Sequence, residues 1–495
     1  MDIGYLKNYW SLYNDFLIKF ENLTYAGYSL AYLSHFPSFV TVDSPLWNKL
    51  YDVNFYHYID HRIEHQNEIQ EKFNNFVRKH TKNNKNINLS KGKVVIHQDK
   101  LMRIPQQTFL NYFDIKQTVI LVTADKKTHI KKKVSVTQNP VIDGSLARQK
   151  YQVDYQGIYQ IPRIPLNKYD TANNIDITKI KKQANMLLES YRNHKVFGTS
   201  QFRKWLHEKI EIVMNKIVMS KKFFEENNVS CLLVSTTHSY INRILTIIAA
   251  EKGIPTICLQ HGIMSSELGY IPKIAMFDAV YGPFEKEWYI KLGVPVSGLR
   301  IIGHPRFDQA YLKPKITRQQ FYRKLTLASN KKSILLVVRG EKDIEKWRMF
   351  IKKLSNKLDL NILMKNYPGN KDHPLVKEFP FVFSTRGMNH YDIFHHVDAV
   401  VTYSSTVALE AMLANKHVFI LKDDFEGYTN YFAKLGDFVQ SDPNALVPYI
   451  IKYFIEPDFR KEVENRRIEF LRYAYPNKSL SSLRLKKLIE EVTNK

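Results

Sequence analysis

The sequence predicts an α/β protein of two doubly wound, Rossmann-like domains that face a central cleft, preceded by a helical N-terminal extension. In a first series, short apolar runs such as CLLVS at 231–235 and PTICLQ at 255–260 alternate with segments of helical period. A polar connector at 314–332 separates it from a second series, which begins with SILLVVR at 333–339. This alternation is typical of parallel sheets covered on both faces. Such sheets bind ligands at the carboxyl ends of their strands, and we expect the same here.

The segments around the two series set the predicted domain boundaries. The aromatic-rich start of the chain has a helical pattern, including a long polar run at 47–79. Residues 138–168 have little helical period, and we expect them to form an extended excursion. We place an N-terminal domain with its helical extension at 1–312, a C-terminal domain at 313–470 and a helical tail at 471–495.

The composition indicates a globular chain with an affinity for anions. Hydrophobic residues make up 44% of the chain, which excludes an intrinsically disordered protein. The formal net charge is +25, from 73 Lys and Arg against 48 Asp and Glu. Such a surface attracts nucleic acid, acidic lipid head groups, nucleotide diphosphates or anionic polymers. Solubility alone is the alternative explanation.

Cysteine content and hydropathy indicate the compartment. Cys231 and Cys258 are the two cysteines, and both lie inside apolar runs. They exclude a disulfide framework and a CxxC metal site, as is typical of a reducing cytoplasm. The first residues lack the order of a signal peptide, and no apolar stretch approaches the ~18–20 residues of a membrane span. We expect a cytoplasmic protein with at most a peripheral membrane role.

The first candidate site is Gln260-His261-Gly262, at the end of a predicted strand. A histidine at this position projects its imidazole into the crevice while the glycine lets the backbone turn. A neutral imidazole with a pKa near ~6.5 can take a proton from an attacking hydroxyl, which makes His261 a candidate general base. The alternative is a histidine that caps a turn for structural reasons.

The second candidate is the run from Gly303 to Asp308, GHPRFD, which follows the predicted strand LRII. Gly303 permits a tight turn, and Arg306 offers a planar fork suited to phosphate oxygens. Asp308 could orient Arg306 or cap a helix. An interdomain turn that contains an Arg–Asp pair is the alternative.

The third candidate is the hydroxyl-rich start of a predicted helix, at Ser404, Ser405 and Thr406, after the strand DAVV. The unpaired N–H groups of a helix start form an anion site suited to a diphosphate. Glu410, just over one turn further, could accept hydrogen bonds from ribose hydroxyls. An ordinary N-cap is the alternative.

Weaker candidates end other strands of both series. Arg339, before Gly340, could contact a phosphate or merely form a turn. Lys365 ends another strand and could place a cation in the cleft, next to Tyr367-Pro368. His238, in the STTH run, could line the cleft on the N-terminal side, as could Gly262.

A metal site is one alternative explanation of the N-terminal histidines. His57, His61 and His65 are spaced to share one face of a helix, and such histidines can bind zinc. On a charged, Tyr-rich helix a solvated face explains them better. The sequence contains no P-loop, no G-x-S-x-G and no convincing Asp-x-Asp motif. We therefore expect no metal and no cofactor.

Together these motifs resemble a known family. The stretch GIPTICLQHGIMSSELGYIPKIAMFDAVYGPFEKEWYIKLGVPVSGLRIIGHPRFD is similar to bacterial cell-surface polymer transferases of the GT-B architecture. These include the CDP-glycerol glycerophosphotransferases of teichoic acid synthesis and related capsule and spore-coat glycosyltransferases. DAVVTYSSTVALEAMLANKHVFIL is similar to their donor-binding unit of strand, serine pair and helix. The resemblance covers about residues 231–428.

The resemblance implies roles for individual residues. His261 matches the family's His-Gly histidine, a proposed base. Gly303 and Arg306 match its G-x-P-R turn, and Ser404 and Ser405 match its phosphate-binding serines. On this basis the N-terminal domain holds the acceptor and the C-terminal domain the nucleotide of the donor.

The chain departs from the glycerophosphotransferases at three positions. Gln260 stands where they carry Trp, Tyr367-Pro368 where they carry His-Pro, and Glu410 where they carry Asp. Glu410 and the following Ala411 are more similar to sugar-nucleotide glycosyltransferases.

These departures favour sugar transfer. We expect a GT-B glycosyltransferase that moves a sugar from a UDP-, CMP- or CDP-linked donor onto a cell-surface polysaccharide or lipid-linked acceptor. Its positive surface would hold it on the anionic inner face of the cell membrane. The alternatives are a glycerophosphotransferase of teichoic-acid type, a sugar-nucleotide 2-epimerase and a catalytically dead scaffold. A nucleic-acid-binding protein is a further one, but the basic residues form no recognisable binding module.

Overall fold

The computed structural model describes residues 4–81, 89–123, 161–170, 174–367, 371–423, 428–476 and 479–493. In these ranges the strands form a small hairpin and two larger sheets. The strands, in chain order, are β1 Thr24–Tyr25, β2 Tyr28–Ser29, β3 Lys93–Gln98, β4 Thr118–Val122, β5 Arg163–Pro165, β6 Val229–Val234, β7 Thr256–Leu259, β8 Phe277–Val280, β9 Leu299–Ile301, β10 Lys332–Arg339, β11 Leu360–Tyr367, β12 Val382–Ser384, β13 Ala399–Thr402, β14 His417–Leu421 and β15 Val439–Gln440.

Helices surround both sheets. The α-helices are α1 Gly4–Lys19, α2 Leu30–Leu33, α3 Pro37–Val42, α4 Ser44–Lys49, α5 Asn67–His80, α6 Gln106–Tyr112, α7 Asn174–Ser190, α8 Ser200–Glu226, α9 Tyr240–Glu251, α10 Pro283–Lys291, α11 Arg318–Leu325, α12 Ile344–Ser355, α13 Pro374–Glu378, α14 His390–Phe394, α15 Thr406–Leu413, α16 Pro443–Ile455, α17 Pro457–Ala474 and α18 Ser481–Thr493. Short 3₁₀ helices lie at Val53–Tyr58, Leu89–Lys91, Ile115–Gln117, Leu166–Tyr169, Val296–Gly298, Pro305–Tyr311 and Ala433–Phe438.

The two large sheets confirm the predicted pair of doubly wound domains. The N-terminal sheet has the order β5-β4-β3-β6-β7-β8-β9, and the C-terminal sheet has the order β12-β11-β10-β13-β14-β15. All strand pairings described in these two sheets are parallel. Every residue of β6 is buried, as expected of a strand with helices on both faces. The strand order reverses between β3 and β6, and again between β10 and β13, so each domain has a switch point at which ligands can bind.

The helical N-terminal extension packs into the core of the first domain. Aromatic side chains of α1, including Trp10 and Phe16, share one hydrophobic cluster with residues of β6, α8 and α9. Arg243 of α9, which is fully buried, donates through Nη1 to Tyr13 Oη (2.9 Å) and to the carbonyl of Tyr32 (3.0 Å). The extension is therefore held by both apolar packing and a buried guanidinium.

The end of the chain returns to the N-terminal sheet. Leu485, Leu488 and Ile489 of α18 belong to the same buried cluster as Ile96 of β3 and Leu233 of β6. The predicted helical tail thus covers one face of the first domain.

The structure corrects the predicted helix at 47–79. Helix α4 ends at Lys49, a 3₁₀ turn follows at Val53–Tyr58, and α5 begins only at Asn67. The Asp52 carboxylate accepts from the N–H of Asn54 (2.9 Å) and so starts a separate turn.

His57, His61 and His65 consequently do not share a helix face. The ring of His61 lies 2.7 Å from Asp15 of α1, whereas His57 and His65 are exposed. Among the described residues, no group of three or more His, Cys, Asp or Glu side chains is arranged to hold a metal ion. The prediction of one helical histidine face was wrong because the chain turns twice between these residues.

The segment at 138–168 and the hydropathy of the helices complete the comparison with the sequence. Most of the predicted excursion at 138–168 lies outside the described residues, and its described end forms β5 and a 3₁₀ turn. Within the described ranges, no helix combines the length and the apolar character that a bilayer crossing requires.

Candidate functional site

His261 lies at the carboxyl edge of the N-terminal sheet, two residues after the end of β7. Its half-buried ring stacks on the ring of Tyr270, with centroids 5.0 Å apart and an interplanar angle of 2°. Burial first, and then the charges of Lys273 and Arg103, lower the pKa of His261 to about 4. The imidazole is therefore neutral at pH 7, which is the form that accepts a proton.

The loop that follows His261 contacts the C-terminal domain. The N–H of Ile263 donates to Thr406 Oγ1 (3.2 Å), and the N–H of Thr429 donates to the carbonyl of Ser265 (3.1 Å). A Cβ at Gly262 would lie 3.5 Å from the same Thr406 hydroxyl. The His261 loop and the start of α15 are therefore in direct contact where the two domains meet.

The start of α15 presents three hydroxyl side chains. Ser405 is the N-cap residue, but its side chain makes no capping hydrogen bond and instead lies 3.2 Å from Thr402 Oγ1. Ser404 Oγ donates to Tyr428 Oη (3.2 Å), and Thr406 accepts from the His261 loop. Because the Ser405 hydroxyl does not occupy the first N–H groups of the helix, they can bind an anion.

Arg306 and Glu410 form a buried ion pair between the two domains. Arg306 Nε lies 3.3 Å from Glu410 Oε1, to which the hydroxyl of Tyr391 also donates (3.2 Å). His390 Nε2 lies 3.3 Å from the other carboxylate oxygen. Burial alone would raise the pKa of Glu410, but Arg306 and then His390 outweigh it and lower the pKa to about 2. Glu410 is thus a carboxylate held in place by three side chains.

The ends of β10 and β11 connect to this ion pair. Tyr367 Oη lies 3.0 Å from His390 Nδ1, so a polar chain runs from Tyr367 through His390 to Glu410. Lys365 Nζ donates to the carbonyl of Met388 (2.7 Å), and burial lowers the pKa of Lys365 to about 8. Arg339 is exposed and pairs with Tyr367 in the sheet register. Pro368 lies outside the described residues.

The Gly303–Asp308 turn mainly holds the end of the chain. Gly303 has φ +72°, and a Cβ there would lie 2.2 Å from Tyr475 Oη, so only glycine lets Tyr475 approach. Asp308 accepts from the N–H groups of Ser481 and Ser482 (both 2.8 Å) at the start of α18. Asp308 therefore caps a helix, which was one of its two predicted roles, and Gly303 contacts the C-terminal segment.

His238 lies four residues after the end of β6, the strand next to β7. Its ring meets the ring of His35 edge-on, with centroids 4.4 Å apart, and its Nδ1 lies 3.3 Å from the carbonyl of Ile271. Burial, and then Arg243, lower the pKa of His238 to about 3. His261 contributes to the same shift, so the two imidazoles lie close to each other in the N-terminal domain.

Several contacts that build the site carry no sequence signal. Glu285 accepts from Gln260 Nε2 (3.1 Å), Ser235 Oγ donates to Asp99 (2.5 Å), and His390 links Tyr367 to Glu410. Ser235 lies in the STTH run, and Glu285 lies in the stretch that carries the family resemblance, but nothing in the sequence pairs them with Asp99 or Gln260. Only the fold brings them together.

Comparison with known proteins identifies the architecture. No protein-family model matches the chain, and no curated protein does. Among solved structures it is similar to a UDP-N-acetylglucosamine 2-epimerase (13% identity, TM-score 0.50, covering 82% of this chain and 96% of that one). It is also similar to UDP-GlcNAc 2-epimerase from Neisseria meningitidis bound to UDP-GlcNAc (13% identity, TM-score 0.50, 81% and 99% covered). A third similar structure is the wall teichoic acid polymerase TagF (12% identity, TM-score 0.45, 87% and 94% covered). At 13% identity the likeness to the two epimerase structures shows the fold alone, and together with the two observed sheets it shows that the chain has the two-domain GT-B architecture.

Proposed function

We propose that this protein is a GT-B glycosyltransferase that moves a sugar from a nucleotide-activated donor to a hydroxyl group of a cell-surface polysaccharide or glycolipid. The observation that carries the proposal is the hydrogen bond from Ile263 N–H to Thr406 Oγ1 (3.2 Å), which sets the His261 loop against the hydroxyl-rich start of α15. A proton acceptor on one side of a gap and an anion-binding helix start on the other are the two parts that such a transfer needs.

The C-terminal side of the gap suits the nucleotide of the donor. The diphosphate would bind the free N–H groups at Ser404–Thr406, with the cations Arg306 and Lys365 nearby. Burial lowers the pKa of Lys365 only to about 8, so this side chain remains charged at pH 7. Glu410 would accept from ribose hydroxyls, because each oxygen of an ionised carboxylate has two lone pairs and can take a ligand besides its protein partners.

The proposed reaction is a direct displacement at the sugar. The acceptor oxygen attacks the anomeric carbon and His261 takes its proton, while the bond from that carbon to the donor phosphate breaks. The leaving nucleotide keeps the bonding electron pair, and its growing negative charge is stabilised by helix N–H groups and by the cations, which could replace a metal ion. The donor's own negative charge would raise the pKa of His261 from about 4, so the base strengthens once the donor is bound.

Two related activities are the main alternatives. A glycerophosphotransferase of teichoic-acid type would use the same base and helix start, but would move a polyol phosphate. A sugar-nucleotide 2-epimerase is the activity named for two similar structures with a TM-score of 0.50. An epimerase would release an altered sugar without needing an acceptor, and this difference separates it from both transferases.

The formal net charge of +25 supports a location at a surface of opposite sign. An anionic membrane or polymer would hold the enzyme near its acceptor through Lys and Arg side chains. The proposed location is therefore cytoplasmic, peripheral on the inner face of the cell membrane, with no nucleic acid as partner.

The test measures nucleotide release from UDP-, CMP- and CDP-linked donors, with and without a mixture of polysaccharide and lipid-linked acceptors. Acceptor-dependent release supports transfer, and the donor that is consumed distinguishes sugar from polyol phosphate. We expect His261→Ala to abolish release while donor affinity stays near that of the wild type, and His57→Ala, at an exposed position, to have no effect. Release without acceptor together with an epimerised sugar, or salt-sensitive RNA binding with no donor binding, would overturn the proposal.

A further inference from the structure

Helix α1 of the N-terminal extension reaches the loop that carries His261. The indole Nε1 of Trp10 donates to Glu267 Oε1 (2.5 Å), although the two residues lie 257 positions apart in the chain. Trp10 is fully buried and Glu267 is 7% exposed. The contact is therefore shielded from water. Losing a hydrogen bond in such a buried place is the most costly case, because no water molecule replaces the lost partner.

The chemistry of Glu267 makes its indole partner important. Burial raises the pKa of this carboxyl to about 7, and the hydrogen bond from Trp10 is the interaction that opposes the shift. Without the indole N–H, this buried carboxyl oxygen would have no hydrogen-bond donor among the described residues. The loop would then have to move to bring Glu267 to water or to another donor.

Glu267 is connected to His261 through Tyr270. The N–H of Tyr270 donates to the carbonyl of Glu267 (3.3 Å), and the Tyr270 hydroxyl donates to the carbonyl of Ile263 (2.7 Å). The Tyr270 ring lies parallel to the imidazole of His261 at 5.0 Å. A shift of Glu267 would therefore change the surface against which the imidazole rests.

We propose that helix α1 is part of the active site, because Trp10 holds Glu267 and, through Tyr270, sets the position of His261. Trp10 and Glu267 act as positioning residues and do not contact the substrate. The inference rests on the proposed function for its kinetic consequence, but the contact itself can be tested without any activity. It gives the N-terminal extension a role beyond stability, since the extension would influence the rate of transfer.

Trp205 provides a matched control in the same aromatic cluster. Its ring stacks on Phe202 with centroids 5.6 Å apart, and its Nε1 has no hydrogen-bond partner in the described residues. Trp205→Phe and Trp10→Phe therefore remove the same atoms, but only Trp10→Phe removes a hydrogen bond. Glu267→Gln keeps an oxygen that can accept from the indole, whereas Glu267→Ala keeps none.

The experiment compares these four variants with the wild-type full chain in two measurements. The first is hydrogen–deuterium exchange of peptides that cover residues 261–270. The second is the separate determination of kcat, KM and donor affinity for each protein. We expect Trp10→Phe and Glu267→Ala to exchange faster in this loop and to lose about tenfold or more in kcat with donor affinity unchanged, since small displacements of catalytic groups cost this much. Glu267→Gln should restore most of the rate, and Trp205→Phe should match the wild type.

Two results would overturn the inference. One is equal loop exchange in Trp10→Phe and Trp205→Phe, and the other is an equal kcat in these two variants. Because Glu267 lies outside the aromatic cluster of α1, its variants keep the test valid even if Trp10→Phe fails to fold. Faster loop exchange in a protein whose wild type transfers no group would support the contact and refute the proposed function instead.

Discussion

Replacing Glu285 with glutamine tests how the residue before His261 is held. Glu285 lies in the first turn of α10 and is completely buried. One of its oxygens accepts from Gln260 Nε2 (3.1 Å) and the other from the N–H of Gly282 (3.0 Å). Burial raises the pKa of this carboxyl from 4.5 to about 8. At neutral pH the folded protein therefore binds a proton that the unfolded chain does not.

The expected change in stability on replacing Glu285 follows from this pKa shift. Because the folded state holds the extra proton between pH 4.5 and about 8, the free energy of unfolding falls by about 1.4 kcal/mol for each pH unit in that window as pH rises. The raised pKa of Glu285 therefore lowers the free energy of unfolding by roughly 0.7 kcal/mol at pH 5 and by about 3 kcal/mol at pH 7. Glutamine stays neutral at every pH and keeps an acceptor oxygen.

The assay is urea unfolding of the wild type and Glu285→Gln at pH 5, 7 and 8. We expect the variant to be more stable than the wild type by about 3 kcal/mol at pH 7, and by less than about 1 kcal/mol at pH 5. Glu287→Gln, at an exposed position on the same helix, should show no such trend. A difference between Glu285→Gln and wild type that stays constant from pH 5 to pH 8 would refute the reasoning.

Three further predictions concern the turn and the ion pair between the domains. Gly303→Ala should lower the free energy of unfolding by about 2–4 kcal/mol, because φ is +72° and the new Cβ would lie 2.2 Å from Tyr475 Oη; urea unfolding measures this. Asp308→Ala removes the carboxylate that caps the start of α18 and should lower the free energy of unfolding by about 1–2 kcal/mol. Hydrogen exchange should become faster only in α18. Glu410→Gln should lower the free energy of unfolding by about 3 kcal/mol at pH 7, since Arg306 and His390 lower the pKa of this carboxyl from 4.5 to about 2. This cost should disappear as pH falls from 4.5 to 2 in unfolding measurements, and titration calorimetry at pH 7 should show weaker nucleotide binding.

The sequence was sufficient to predict the fold because its signals are local. Apolar runs of four to eight residues became strands, as with the run at 333–339, which lies in Lys332–Arg339. The helix predicted after the strand DAVV is Thr406–Leu413. Since parallel strands place their carboxyl ends together, residues that followed different strands could be expected at one edge. His261 and Thr406 illustrate this, because their loops meet although 145 positions of chain separate them.

The partners of the candidate residues could not be predicted in the same way. Glu410 was assigned to the ribose and Arg306 to the phosphate from their types and spacing, yet the two side chains form an ion pair with each other. Trp10 carries no motif, and nothing near it in the sequence indicates a contact with Glu267. A hydrogen bond between distant positions depends on how the domains pack, and periodicity carries no information about that.

The two domains contribute side chains of different charge to the candidate site, and this difference favours the proposed roles of the two domains. On the N-terminal side, burial and neighbouring cations lower the pKa of His261 to about 4 and that of His238 to about 3, so both imidazoles are neutral proton acceptors. On the C-terminal side, Lys365 keeps its charge at pH 7 because burial lowers its pKa only to about 8. Arg306 of the N-terminal domain is charged and lies beside the ionised Glu410 of α15. A polyanionic nucleotide at the C-terminal domain would meet Lys365 and the start of α15, and Arg306 would approach it from the N-terminal domain. This difference supports the proposal that the donor binds to the C-terminal domain and that His261 takes the proton of the acceptor hydroxyl.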